Sequence, residues 1–160
     1  MIDGISGAPI PTVLRYAQPI QQACEAYPTF PPCLAYAIAF RETIGGEIAG
    51  LWVSAATVLS ADEGHGLFQL TSSYPSDWTD VNANSRYALE HFLVPSLDFF
   101  AGRGLTGVSL IRCIAAGFNS GNETAWENHL RGNVDLGTTD NYAAAVLNNY
   151  QRLISGESPA

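Results

Sequence analysis

Leu34-Ala-Tyr-Ala-Ile-Ala-Phe-Arg-Glu42-Thr-Ile-Gly-Gly46 is the stretch on which the fold turns. Seven of the eight residues before Glu42 are apolar or alanine, and the eighth is Arg41. Such a run predicts a helix covered on nearly every side, which requires a helical protein with a packed interior. Pro31 and Pro32 precede it, where a fixed φ suits a first helical turn. Gly45 and Gly46 read as its C-terminal stop. A single carboxylate, Glu42, thus falls at the end of a buried helix. Burial disfavours the charged form, so its pKa is expected to rise. An acid that keeps its proton near neutral pH can protonate a leaving group. The plainer reading of Glu42 is a helix-end residue turned to water.

The rest of the chain reads as mainly α. Residues 1–11 are rich in Gly and Pro and predict an irregular N-terminal arm, with residues 12–160 as one domain. Thr12 is placed to cap a helix running to about Tyr27. Residues 47–61 lose the helical period, and Leu67 to Thr71 suits a short strand, so a small β-hairpin region is expected near 52–71. Ser85 to Gly102 predicts a long helix that Pro95 kinks or divides. Val108 to Phe118 is apolar almost all round and predicts the buried central helix of the bundle. A short helix near Glu123–Leu130 follows, and Thr138 or Thr139 is placed to cap the last one.

Charge narrows the function classes. Fifteen acids against seven bases give a net charge of -8, which argues against nucleic acid, whose phosphates need clustered Lys and Arg. No apolar run approaches the ~20 residues that cross a bilayer, and the N-terminus lacks the basic and apolar regions of a signal peptide. Cys24 and Cys33 flank a proline-containing turn whose spacing allows a disulfide, and Cys113 reads as a buried thiol. Asp62, Glu63 and His65 lie close together but bring no fourth ligand, so no metal and no cofactor is expected.

Three separated stretches call for one explanation. They are Arg41-Glu42-Thr43, Asp62-Glu-Gly-His-Gly-Leu-Phe-Gln69 and Gly117-Phe-Asn-Ser-Gly121. With Asp135-Leu-Gly-Thr-Thr-Asp-Asn-Tyr142-Ala they resemble, in order, the motifs of goose-type lysozymes and of the related soluble lytic transglycosylases. The resemblance runs from about Leu34 to Leu153. It implies a single lysozyme-like domain and a muramidase acting on the β-1,4 bond between N-acetylmuramic acid and N-acetylglucosamine. It makes Glu42 the general acid and Asp62 the carboxylate that activates water. Glu63, His65, Gln69, Phe118, Asn119 and Tyr142 would then hold the sugars. The chain departs from the family in three ways. The turn lacks two residues between Gly66 and Leu67, which leaves Glu63 as the alternative to Asp62. Thr71 stands where a second aspartate is common, and Phe118 replaces a tyrosine. The chemistry suits inversion, with an acid on one side of the bond and a base holding water on the other. The alternatives are a lytic transglycosylase that leaves 1,6-anhydro ends, and a non-catalytic glycan-binding or structural module of a phage or secretion machine. The expected partner is peptidoglycan, met outside the cytoplasm by a monomer that a carrier or virion delivers.

Overall fold

The computed structural model describes residues 4–48 and 54–160. It is mainly helical. The elements are α1 (Ala17–Glu25), α2 (Pro32–Ala39), α3 (Gly45–Ile48), α4 (Val81–Ala88), α5 (Val94–Ala101), α6 (Gly107–Ser120), α7 (Asn122–Leu130) and α8 (Tyr142–Ile154). Two π-helical turns join helices end to end: Phe40–Ile44 between α2 and α3, and Leu89–Leu93 between α4 and α5. Short 3-10 turns occupy Ala55–Thr57 and Val134–Gly137.

The most completely covered helix is α2, in which every residue from Cys33 to Ala39 has no accessible surface. Helices α1 and α8 pack against it, and α6 packs against α7 and α8. Helix α6, expected to be apolar all round, buries Leu110, Ile111, Cys113, Ile114, Ala115 and Ala116 but leaves Val108 half exposed. One face of α6 therefore meets solvent, and the all-round burial belongs to the helix that leads to Glu42.

Several boundaries differ from the sequence reading. The helix expected to stop at Gly45 continues to Ile48. Gly45 has φ -61, an ordinary helical value. A Cβ there would stand 2.9 Å from Phe40 Cε1 and 3.0 Å from Phe40 O, so this glycine serves a close approach inside the π turn. The first helix begins at Ala17 and not near Thr12, because Tyr16 has φ 63 and breaks the helical run. Helix α4 begins at Val81, where the Asp80 carboxylate accepts from Asn82 N at 2.8 Å and Ala83 N at 3.1 Å. Pro95 falls in the first turn of α5, immediately after the second π turn, where its missing N–H costs least. The arm is irregular, yet Ile5 and Ile10 are buried and Tyr150 Oη accepts from Ser6 N at 2.8 Å. All three cysteines are free, buried thiols, so the bond allowed by the Cys24–Cys33 spacing is absent.

The region expected as a hairpin, 52–71, is a compact loop among the described residues, with residues 52 and 53 of it outside them. His65 bridges Leu59 and Leu70, and no longer ladder forms there. His65 N donates to Leu70 O at 2.9 Å, and Gly66 N donates to Val58 O at 2.7 Å. A buried amide, Asn84 on α4, fixes the loop from behind. Its Oδ1 accepts from Phe68 N, and its Nδ2 donates to His65 O and Trp78 O, each at 3.0 Å. Gly66 (φ 68) has no room for a Cβ, which would lie 2.7 Å from Asn84 Nδ2.

Candidate active site

Glu42 sits in the π turn at the end of the covered helix, and Thr43 ties that turn to the loop. The Thr43 hydroxyl is fully buried and donates to Leu67 O at 2.7 Å. This one bond sets the distance between the Glu42 helix and the glycine turn. Between them lies a cavity of ≈ 150 Å³, lined by Glu42, Asp62, Gly64, Gln69, Leu70, Thr71, Phe92, Phe118 and Asn119. π turns insert one residue into a helix and are frequent at functional sites. Here the first carries Glu42 and the second carries Phe92, and both open on the same groove.

The Glu42 carboxylate is held by a neighbour far away in sequence. Tyr142 Oη donates to Glu42 Oε2 at 2.5 Å. Tyr142 is itself buried, and its position is set by the start of α8. There Asp135 Oδ1 accepts from Ala143 N at 2.8 Å and Oδ2 from Ala144 N at 3.1 Å, while Thr138 Oγ1 accepts from Tyr142 N at 3.2 Å. A carboxylate at a helix N-terminus also meets the positive end of the helix dipole. The Asp-Leu-Gly-Thr-Thr run is thus the mounting of Tyr142, and through it of Glu42.

Burial pushes the Glu42 carboxyl up from 4.5 to about 7. The Tyr142 hydrogen bond and then the Arg41 charge oppose this, and the Asp62 charge adds to it. Burial, and the adjacent Glu42, also push the Tyr142 phenol well above its ordinary value, so the phenol keeps its proton and acts as donor. Glu42 is therefore an acid near neutral pH, supported by a fixed hydrogen bond and facing an open groove.

Asp62 lies on the exposed rim of that groove. Ser60 Oγ donates to Asp62 Oδ1 at 2.5 Å and accepts from Gly64 N at 3.0 Å, which fixes the carboxylate to its own turn. Gly64 lets two side chains close over the turn, since a Cβ there would lie 2.4 Å from Gln69 Oε1 and 2.8 Å from Ser60 Oγ. Gln69 lines the groove, but its Nε2 donates to Gly66 O at 3.0 Å and Val58 O at 3.2 Å. It latches the loop with its donor side. Phe118 lines the groove edge-on to Phe68 and Phe92, with ring centroids 6.4 and 6.2 Å away. Asn119 lies beside it, and its Oδ1 accepts from Thr139 N at 3.1 Å.

Two residues expected among the sugar contacts lie elsewhere. Glu63 has φ 64, is exposed, and does not line the groove, because the left-handed turn that presents Asp62 carries its neighbour away. His65 is buried behind the loop. Its Nδ1 lies 2.9 Å from Leu70 O, and its ring stacks on Tyr74 at 3.6 Å and meets Trp78 edge-on at 5.1 Å. A carbonyl oxygen only accepts, so Nδ1 is the protonated nitrogen in this pairing. Phe92 is a groove residue that sequence reasoning missed, because it falls on the apolar stripe of its helix and nothing local marks it as lining a groove. Thr43, Ser60 and Asn84 were also missed; each is a small polar residue whose task is visible only once its partner is placed. No group of three His, Cys, Asp or Glu side chains among the described residues is arranged to hold a metal ion.

Comparison with protein-family models, with curated proteins and with solved structures finds no match to this chain.

Proposed function

We propose that the chain is a peptidoglycan muramidase with a lysozyme-like fold, similar to the goose-type lysozymes, that hydrolyses the N-acetylmuramic acid to N-acetylglucosamine β-1,4 bond with inversion. The observation that carries the reading is the Glu42–Tyr142 pair: a carboxyl with its pKa near 7, hydrogen-bonded at 2.5 Å, on a cavity that also holds Asp62. Two carboxyl groups in different environments take different roles. Glu42, half-buried, protonates the glycosidic oxygen. Asp62, exposed and bonded to Ser60 on the opposite rim, is placed to take a proton from the attacking water. Phe92 and Phe118 offer apolar ring surface to the sugar faces, and Asn119 offers an amide. The finer architecture in this reading is a helical bundle around a central helix with the 52–71 region as its β-hairpin equivalent. The protein works outside the cytoplasm as a monomer, brought to the wall by a carrier or a virion.

A specific observation favours a second reading. Asp62 stands on an exposed turn, and Thr71, which also lines the groove, brings no second carboxylate. An enzyme with one firmly held acid suits a lytic transglycosylase, in which the sugar's own 6-hydroxyl attacks. A mass spectrum of digested peptidoglycan separates the readings. Reducing muramic ends, with Asp62→Asn slower by about 10²–10⁴-fold, support hydrolysis. Anhydro ends with Asp62→Asn unimpaired establish the transglycosylase. No soluble product from a folded protein overturns both and leaves a glycan-binding module.

A further inference from the structure

Arg41 and Glu42 are neighbours in sequence but open on different cavities. Glu42 faces the groove. Arg41, with Phe40, Gly45 and Gly46, lines a second cavity of ≈ 300 Å³, closed from the side of α8 by Ala145 and Asn149 and beyond them by Ala160. The two cavities share no lining residue. Arg15, Arg112 and Arg152 each reach a carboxylate, whereas among the described residues none lies within ion-pairing distance of Arg41. Arg41 Nη2 makes one long contact, 3.5 Å to Thr139 O, and the guanidinium carbon stands 5.5 Å from the Tyr142 ring centroid. Its Nε is buried and has no hydrogen-bond partner among the described residues. No acidic side chain lines the cavity. A part-buried guanidinium with no side-chain carboxylate among the described residues in ion-pairing range matches a carboxylate, which binds a planar fork with two oxygens.

We propose that this second cavity binds a small carboxylate on Arg41, and that its occupancy tightens the hold of Glu42 on its proton. The Arg41 charge works against a proton on Glu42. A carboxylate resting on Arg41 cancels part of that charge, so Glu42 titrates at higher pH. Coupling is reciprocal, so the carboxylate binds more tightly while Glu42 is protonated. The other groups that act on Glu42 are Tyr142 from α8 and Asp62 from the loop, and neither lines the second cavity. Occupancy thus changes the acid without entering the groove. As a regulatory device it rests on Glu42 being the catalytic acid; as a binding site it does not.

The test is a carbon NMR titration of the Glu42 carboxyl at constant ionic strength, with chloride replaced stepwise by acetate. The midpoint should move upward by roughly half a pH unit, saturating with acetate, as expected of a part-screened charge. Ala145→Leu fills the cavity without touching either acid. It should abolish the acetate response and keep the acetate-free midpoint. Arg41→Gln should start from a higher midpoint and ignore acetate. A wild-type midpoint that acetate does not move, or moves equally in Ala145→Leu, overturns the proposal. Carboxylates occur free and on wall peptides, so L-alanyl-D-glutamate is a second probe, and the one that saturates at lower concentration identifies the source. The readout is a proton on Glu42 and not turnover, so this proposal and the muramidase reading fail separately.

Discussion

The proton on Glu42 is governed by four influences, and burial is the largest of them. Tyr142 matters for a second reason, because its hydroxyl fixes the direction in which the carboxyl presents itself. Removing it has two separable consequences. Tyr142→Phe deletes a bond that lowers the Glu42 pKa, so the alkaline limb of the activity profile should move above about 7. The maximal rate should fall by about 10–100-fold, the range for losing a hydrogen bond to a charged group. A pH–rate profile checks both. A variant with full activity and an unmoved limb would show that the 2.5 Å contact has no part in the chemistry. At this scale the sequence was informative where a local pattern sets a residue's place. Glu42 follows from the apolar run before it, and Asp62 from a glycine turn. Glu63 and His65 were misplaced because a left-handed φ at Glu63 and a stack on Tyr74 decide where those side chains go, and neither is written in residue types.

Each element of the candidate site is held by a partner distant in sequence. The helix from Pro32 to Ile48 was legible as a buried helix, but its end was not. Glycine at 45 reads as a stop when only local preference is weighed. In the structure Phe40 packs against it within one π turn, and the helix runs on. Two effects then compete in Gly45→Ala. Helix propensity favours alanine by about 1 kcal/mol. The new Cβ meets Phe40 Cε1 at 2.9 Å and the main-chain Phe40 O at 3.0 Å, and overpacking of this kind costs about 1–3 kcal/mol. Main chain cannot rotate away as a side-chain tip can, so the contact should win. Urea unfolding should show a lower midpoint with an unchanged slope. A raised midpoint would mean that the π turn relaxes freely. The Asp135 run illustrates the opposite case. Its order before a Tyr-Ala helix was readable, and its physical task, capping α8 to place Tyr142, emerged from the Ala143 and Ala144 hydrogen bonds.

The whole molecule carries 15 acids and seven bases, and every one of the bases is arginine. Its net charge of -8 repels an anionic wall at long range. Salt screens that repulsion over a Debye length of about 10 Å at 0.1 M. Activity on intact cells should therefore hold or rise as salt is added from low concentration, whereas an attracted, basic enzyme would lose activity. A turbidity assay across salt concentrations checks this, and a steady loss from the lowest salt onward would contradict it. The mainly helical class was legible from apolar periodicity, because that signal averages over many residues. The cover around α2 was legible as well; the exposed face of α6 was not, because only packing shows that Val108 faces solvent. The central claim is that a proton leaves Glu42 for the sugar oxygen. Glu42→Gln keeps an acceptor for Tyr142 and the shape of the site but has no acidic proton to give. The most direct measurement is release of soluble fragments from purified peptidoglycan by the folded Glu42→Gln variant beside the wild type. The account predicts fragments from the wild type and a loss of about 10²–10⁴-fold in the variant. Activity within tenfold of wild type in a folded variant would contradict it.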